Sequence, residues 1–252
     1  MSRSIPTKDR ISSLPDPIIC RILSFLSTKL AATTSVLSKR WESIWLSLPT
    51  LHFDDESFKS FSSFCNSVSN VFLSRNIMLP LRSFHLISLK AYNLHHSHDV
   101  NRFVYATVQR GIENLNLKIC NRISFGLKLP LSIFSCRTLV VLHLHGLTAN
   151  LSRVVVDFPL LKTLHLGNVH FARDQCLPKF LSGCPILEEL QIKYLPRATL
   201  VLEENFQCLP NLIRANISDV CSSAASVLFS LLYGAKILCV EPVRVLHDSL
   251  LQ

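Results

Sequence analysis

Two different periodicities divide the chain. Near the N-terminus Ile18, Ile19, Ile22, Leu23 and Leu26 recur at spacings of three and four, the stripe of an amphipathic helix. Ser13 can cap that helix, Pro15 and Pro17 suit its first turn, and Asp16 complements its dipole. A second helix is expected after Ser27-Thr28, carrying Leu30, Ala31, Thr34 and Leu37. Ser38 can cap a third, which holds Trp41, Ile44, Trp45 and Leu48 and is stopped by Pro49. Three short helices bury little surface by themselves, so this unit is expected to need company.

After residue 80 the period changes to two. Apolar residues occupy the first, fourth and sixth places of a short pattern that starts at Leu81, Ile112, Leu139, Leu161, Leu187 and Leu212, at intervals of 31, 27, 22, 26 and 25 residues. A weaker copy starts near Ala235. A strand pattern returning every twenty to thirty residues predicts leucine-rich repeats, each burying its apolar face against its neighbours. Similar turns introduce several copies: Phe158-Pro159, Cys184-Pro185 and Cys208-Leu209-Pro210, with Cys136 in the corresponding place. The expected fold class is therefore α/β: a three-helix unit over residues 8–50, a partly helical linker over 51–80 carrying Phe58, Phe61, Phe64 and Phe72, and a solenoid with a parallel sheet over 81–245.

Strand alternation sends the third, fifth and seventh residues of each copy outward. The middle column then reads His85, Asn116, His143, His165, Gln191 and Asn216, all hydrogen-bonding side chains, flanked by Glu189, Lys193 and Arg214. Polar residues belong on any solvated strand face. They are also what a repeat protein's binding surface requires, so this column is the candidate target-binding site.

Composition narrows the function. The chain is 48% hydrophobic and 17% charged, which favours a folded protein. Its net charge of +9 raises the question of nucleic acid, but the basic residues are scattered and no basic, aromatic stripe follows a groove, so no nucleic-acid partner is expected. The N-terminus has no apolar segment with a cleavage site, and the stretch from Asp219 to Lys236 is too short and polar to span a bilayer. An intracellular chain, cytoplasmic or nuclear and without a membrane partner, is expected. The nine cysteines are dispersed and read as small packing residues. His95, His96, His98 and Asp99 lack a second ligand group at a defined spacing and read as a solvated loop, not a metal site. With six glycines and no G-x-G-x-x-G, phosphate loop or G-x-S-x-G, neither a cofactor nor an enzymatic reaction is indicated.

The run Leu14-Pro15-Asp16, Ile18-Ile19, Ile22-Leu23-Ser24-Phe25-Leu26, followed by Leu37-Ser38-Lys39-Arg40-Trp41 and Trp45, resembles the F-box, particularly that of plant F-box/leucine-rich-repeat proteins. The resemblance implies a module that docks on a Skp-type adaptor and through it joins a cullin-RING ubiquitin ligase, while the repeats select a protein target for degradation. It nominates Leu14, Pro15, Ile18, Ile22, Leu23, Leu37, Trp41 and Trp45 as adaptor contacts. On helical spacing alone, the two tryptophans read instead as core. Leu30 stands where relatives commonly carry an aspartate, and Ala32-Thr33 where Val-Arg is usual. A repeat scaffold with a degenerate F-box and no ligase role is the alternative. Many relatives continue with further repeats and a C-terminal domain, so this array is expected to be short.

Overall fold

Pro15 fixes where the first helix begins. Its extended backbone makes it the N-cap of α1 (Asp16–Leu23), two residues later than the cap at Ser13 suggested by the sequence, and Asp16 occupies the first turn. The computed structural model describes residues 11, 13–89, 97–119, 127–152, 154–172, 176–195, 209–220, 228–229 and 232–241. Helix α2 (Thr28–Thr33) is capped by Ser27, whose side chain accepts from the Leu30 N–H. A 3-10 turn at Thr34–Val36 leads to α3 (Lys39–Ser47); Ser38 is its N-cap residue but makes no side-chain cap bond. Ile19, Leu23, Ala31, Trp41, Ile44, Trp45 and Leu48 form the inside of this unit. Arg40 pairs with Asp16 and donates to the Leu14 carbonyl, closing α3 back on the start of α1.

The chain then enters the sheet sooner than expected. Thr50–Asp54 is strand β1, with Leu51 and Phe53 buried, and it pairs in parallel with β2 (Ser83–Ser88). Leu48, Leu51 and Phe53 repeat the first, fourth and sixth spacing seen later. The interval 51–80 thus holds a rung of the sheet as well as the expected helix, α4 (Phe61–Ser74), which opens with a reciprocal capping box between Ser60 and Ser63. Phe64, Cys65, Val68 and Val71 form its buried face. At its end Arg75 donates from Nη1 to the Leu46 carbonyl at 2.7 Å, tying α4 to α3.

Strands β3 (Asn114–Ile119), β5 (Val141–His145), β7 (Thr163–Gly167), β9 (Glu189–Lys193), β10 (Arg214–Ser218) and β11 (Ile237–Glu241) complete an eight-stranded parallel sheet in chain order. In all six repeats from Leu81 to Ile217 the first, fourth and sixth residues are at most 2% exposed. Burying such a side chain contributes about 2 kcal/mol. On β11 the corresponding Leu238 and Val240 are 40% and 45% exposed.

Behind the main sheet run α5 (Ser97–Val108), a 3-10 turn at Leu131–Ser135, and α6 (Cys176–Ser182). Three very short strands, β4 (Leu127–Lys128), β6 (Leu147–Ala149) and β8 (His170–Phe171), form a second parallel sheet. Phe134, Phe158 and Phe180 pack together in the interior, with ring centroids 5.7–6.0 Å apart. Cys136 and Cys184 are buried here as packing residues, and burial pushes the Cys184 thiol up to about 12; Cys208 lies outside the described residues. His98 and Asp99 belong to the first turns of α5 and not to a loop, while His95 and His96 lie outside the described residues.

A backbone feature also repeats. The residue immediately after β5, β7, β9 and β10 has positive φ: Gly146 at 72°, Asn168 at 48°, Tyr194 at 54° and Asp219 at 56°. Three of these are residue types that tolerate the left-handed region; Tyr194 is the exception.

Candidate binding surfaces

The register sets the outward side chains in rows across the strands. Direct cross-strand partners run His52, His85, Asn116, His143, His165, Gln191, Asn216 and Cys239. All six residues of the column read from the sequence therefore stand in one row. The structure adds His52 at one end, a position whose clue was the Leu48, Leu51, Phe53 spacing, and Cys239 at the other.

Neighbours in this row touch. The His52 and His85 rings are 5.6 Å apart, Asn116 Nδ2 lies 3.5 Å from His85 Nδ1, and His143 and His165 stack with centroids 4.0 Å apart and planes 4° from parallel. His165 Nε2 is 3.4 Å from Glu189 Oε1. Burial and then the facing His165 and His85 hold the His143 imidazole down at about 4, against the opposing pull of Glu189. Burial and His52 lower His85 as well. At neutral pH these two rings are uncharged, each with one donor and one acceptor nitrogen. His143 Nε2 and Asn216 Oδ1 have no hydrogen-bond partner among the described residues.

The next row, toward the strand C-termini, was not singled out by the sequence. It runs Asp54, Ile87, Lys118, His145, Gly167, Lys193, Ser218 and Glu241. The His145 ring lies across Gly167: a Cβ there would stand 2.4 Å from His145 Nδ1. Burial, then Lys118 and Lys193, lower the His145 pKa. Lys118, His145, Gly167 and Lys193 of this row, together with Asn116, His143, His165 and Gln191, line an open recess of about 160 Å³. A larger cavity, about 330 Å³, lies between α2, β1 and α4. Its Lys29 is already engaged, donating to Ser57 Oγ at 3.0 Å and lying over the Phe58 ring.

The helical unit presents a second surface. Ile18 and Ile22, 48% and 43% exposed, stand on the outer side of α1 with Phe25, and Leu30, Val36 and Leu37 are exposed beyond them. Pro15 is exposed and Leu14 half-buried. The stripe read from the sequence is thus split, with Ile19 and Leu23 facing in and Ile18 and Ile22 facing out. Leu23, Trp41 and Trp45, nominated as contacts by the resemblance, are 1%, 4% and 9% exposed. They pack the inside of the unit with Ile19, Ile44 and Leu48, as helical spacing alone suggested for the tryptophans, whose large rings supply much of the apolar area that three short helices need at their centre.

Residues 11–53 match the F-box domain, and residues 100–247 match the family described as FBD-associated F-box protein At5g56370, LRR repeats. The chain belongs to the F-box/leucine-rich-repeat family. It is 40% identical over 190 residues to F-box/LRR-repeat protein At3g58980 of Arabidopsis thaliana, an alignment covering 73% of this chain and 31% of that protein. It is 34% identical over 192 residues to F-box/FBD/LRR-repeat protein At5g56420 of the same organism, covering 75% and 44%. With F-box/LRR-repeat protein At3g59200, also of Arabidopsis thaliana, the identity is 35%, over 86% of this chain and 47% of that protein. The chain therefore spans under half the length of these curated relatives. Its F-box and repeats correspond to the helical unit and the parallel sheet.

Proposed function

We propose that this chain is the substrate-recognition subunit of a Skp–cullin–F-box ubiquitin ligase. The observation that carries this reading is the coincidence of the F-box match over residues 11–53 with an outward apolar stripe, Ile18 and Ile22 on its first helix and Phe25 in the turn just after it. Apolar side chains of that size, exposed at helical spacing, suit a partner's groove. The Skp-type adaptor would seat against Pro15, Ile18, Ile22 and Leu37 with the edge of Leu14, while Leu23, Trp41 and Trp45 hold the unit in shape. The sheet's polar row would take a protein target, bound for ubiquitin-dependent degradation. Such a subunit works in the cytoplasm or nucleus, and it presents its target without performing chemistry on it.

The test is capture of a recombinant Skp-type adaptor by the 252-residue chain, beside an Ile18→Glu, Ile22→Glu variant checked for native circular dichroism. Binding by the parent and its loss in the folded variant are the expected result. Equal binding by both would move the docking site off α1, and no binding by either would leave a repeat scaffold without a ligase role. Trp41→Ala is unsuitable as a surface probe: emptying a site only 4% exposed costs about 3–5 kcal/mol and unfolds the module.

A further inference from the structure

Between β3 and β9 the row of seventh positions carries two lysines and no acid. From β3 to β9 the outward side chains include Lys118 and Lys193, and the acid among them is Glu189, at the opposite end of β9 from Lys193 and already directed at His165. Neither lysine has an ion-pair partner among the described residues; Lys193 lies over the Tyr194 ring, 5.4 Å from its centroid. Lys118 and Lys193 flank His145 and the gap at Gly167, where the absence of a Cβ lets the imidazole lie across the strand. The recess here is also lined by the Asn116 and Gln191 amides. Two ammonium groups, an imidazole and two amides facing one opening form a receptor for carboxylates.

The spacing says how those carboxylates are carried. Lys118 and Lys193 are three inter-strand steps apart, roughly 14 Å at about 4.8 Å per step, and an extended peptide covers about 13.5 Å in four residues. We propose that this recess receives an acidic segment of the target protein, an extended peptide laid across the strands with carboxylate side chains four residues apart, one on Lys118 and one on Lys193. The residue midway between them would face His145 and Gly167, where the opening favours a small side chain. The inference rests on the reading of the sheet face as the target-binding surface, and it names the chemistry that surface selects.

The experiment is fluorescence anisotropy with the whole chain and a fluorescein-labelled alanine–serine peptide carrying two glutamates four residues apart. Its partners are the same peptide with glutamines, one with the two serines of that spacing phosphorylated, and a polyuridine of similar length. Two variants accompany the parent, Lys118→Gln with Lys193→Gln, and Arg214→Gln, which removes a basic group on the same face outside the recess. The expected result is binding of the diglutamate peptide, weakened about tenfold or more by glutamine in the peptide or by the double lysine variant, and little changed by Arg214→Gln. Several results would overturn the proposal: no binding of the diglutamate peptide, equal binding of the glutamine peptide, or equal weakening by Arg214→Gln. Tighter binding of the polyuridine or the phosphopeptide than of the diglutamate peptide would do the same. Adaptor capture is read separately, so loss of peptide binding with adaptor capture intact removes this inference alone. Peptide binding without adaptor capture removes the ligase reading and leaves the acidic-segment site standing.

Discussion

His143 and His165 stack face to face across β5 and β7, 4.0 Å between centroids and 4° from parallel. A positive charge on His143 at this distance is disfavoured by the ring that faces it as well as by burial. The unfolded chain has no such restriction, so His143 titrates there near its ordinary value of about 6.5. In the fold it is held at about 4 by burial, His165 and His85, with Glu189 pulling the other way. A base whose pKa is lowered by folding costs nothing above the unfolded value. As pH falls from about 6.5 toward 4 the unfolded state binds more protons and stability is lost, on the order of 3 kcal/mol from this residue. His85 and His145 are lowered too and act in the same direction. Urea midpoints at pH 7, 6 and 5 should fall steadily for the parent and less steeply for His143→Asn. Parallel pH profiles would contradict the assignment.

Asp55 is 1% exposed and stands just past β1. It accepts from the Ser88 hydroxyl and, at 2.9 Å, from the Leu89 N–H, while its own N–H donates to the Ile87 carbonyl at 3.1 Å. Asp55→Ala should destabilise the chain by about 1–3 kcal/mol by leaving the buried Ser88 hydroxyl and the partly buried Leu89 amide without their acceptor. Asp55→Asn should recover part of that. Equilibrium urea unfolding reads both, and an alanine effect below about 0.5 kcal/mol would show that this carboxylate does not secure the first two rungs.

Gly183 sits where a Cβ would approach the Val156 carbonyl oxygen to 2.5 Å and its Cγ1 to 2.6 Å. The obstacle is backbone, which cannot swing aside. Gly183→Ala should cost about 1–3 kcal/mol in thermal or urea unfolding. At Gly111 the obstacle is conformational: φ is +69° with nothing within 4 Å of a built Cβ, so alanine there should cost about 1 kcal/mol. A Gly183 variant as stable as the parent would mean that the 154–158 segment moves freely.

Tyr194 carries a φ of 54° at a place where Gly146, Asn168 and Asp219 serve the other repeats. Tyr194→Asn should stabilise the chain by roughly 0.5–1 kcal/mol through relief of that strain, less whatever the ring gains beneath Lys193. A rise of a few degrees in the melting temperature is the expected reading; a fall would show that the ring's contact with Lys193 outweighs the backbone cost.

The repeat array was legible because few folds besides a stacked solenoid place a two-residue alternation every twenty to thirty residues. The middle row followed, since parity within a strand is a local property. The row of seventh positions, with Lys118, His145, Gly167 and Lys193, follows from the same alternation; what parity cannot supply is contact, so the imidazole lying across Gly167 between the two lysines became visible only in the fold. Strand β1 was missed because Leu48 closes the α3 region and opens a repeat at once, and the helical reading claimed it first. The short strands β4, β6 and β8 are too brief to show any period. In the helical unit, spacing alone read Trp41 and Trp45 as interior and the fold buries both, while the resemblance had named them together with the exposed Ile18 and Ile22 as adaptor contacts.

Strand β1 follows α3 after only Leu48 and Pro49, and its whole length is hydrogen-bonded to β2. Arg75 adds a second fastening between α4 and α3. The two surfaces consequently share one rigid frame with no slack between them. Anything gripped at α1 and anything seated on the sheet would be held at a set distance and bearing. Reach is then built into the pairing of a single strand, and lengthening the chain between Ser47 and Thr50 would re-aim one surface relative to the other while leaving both intact.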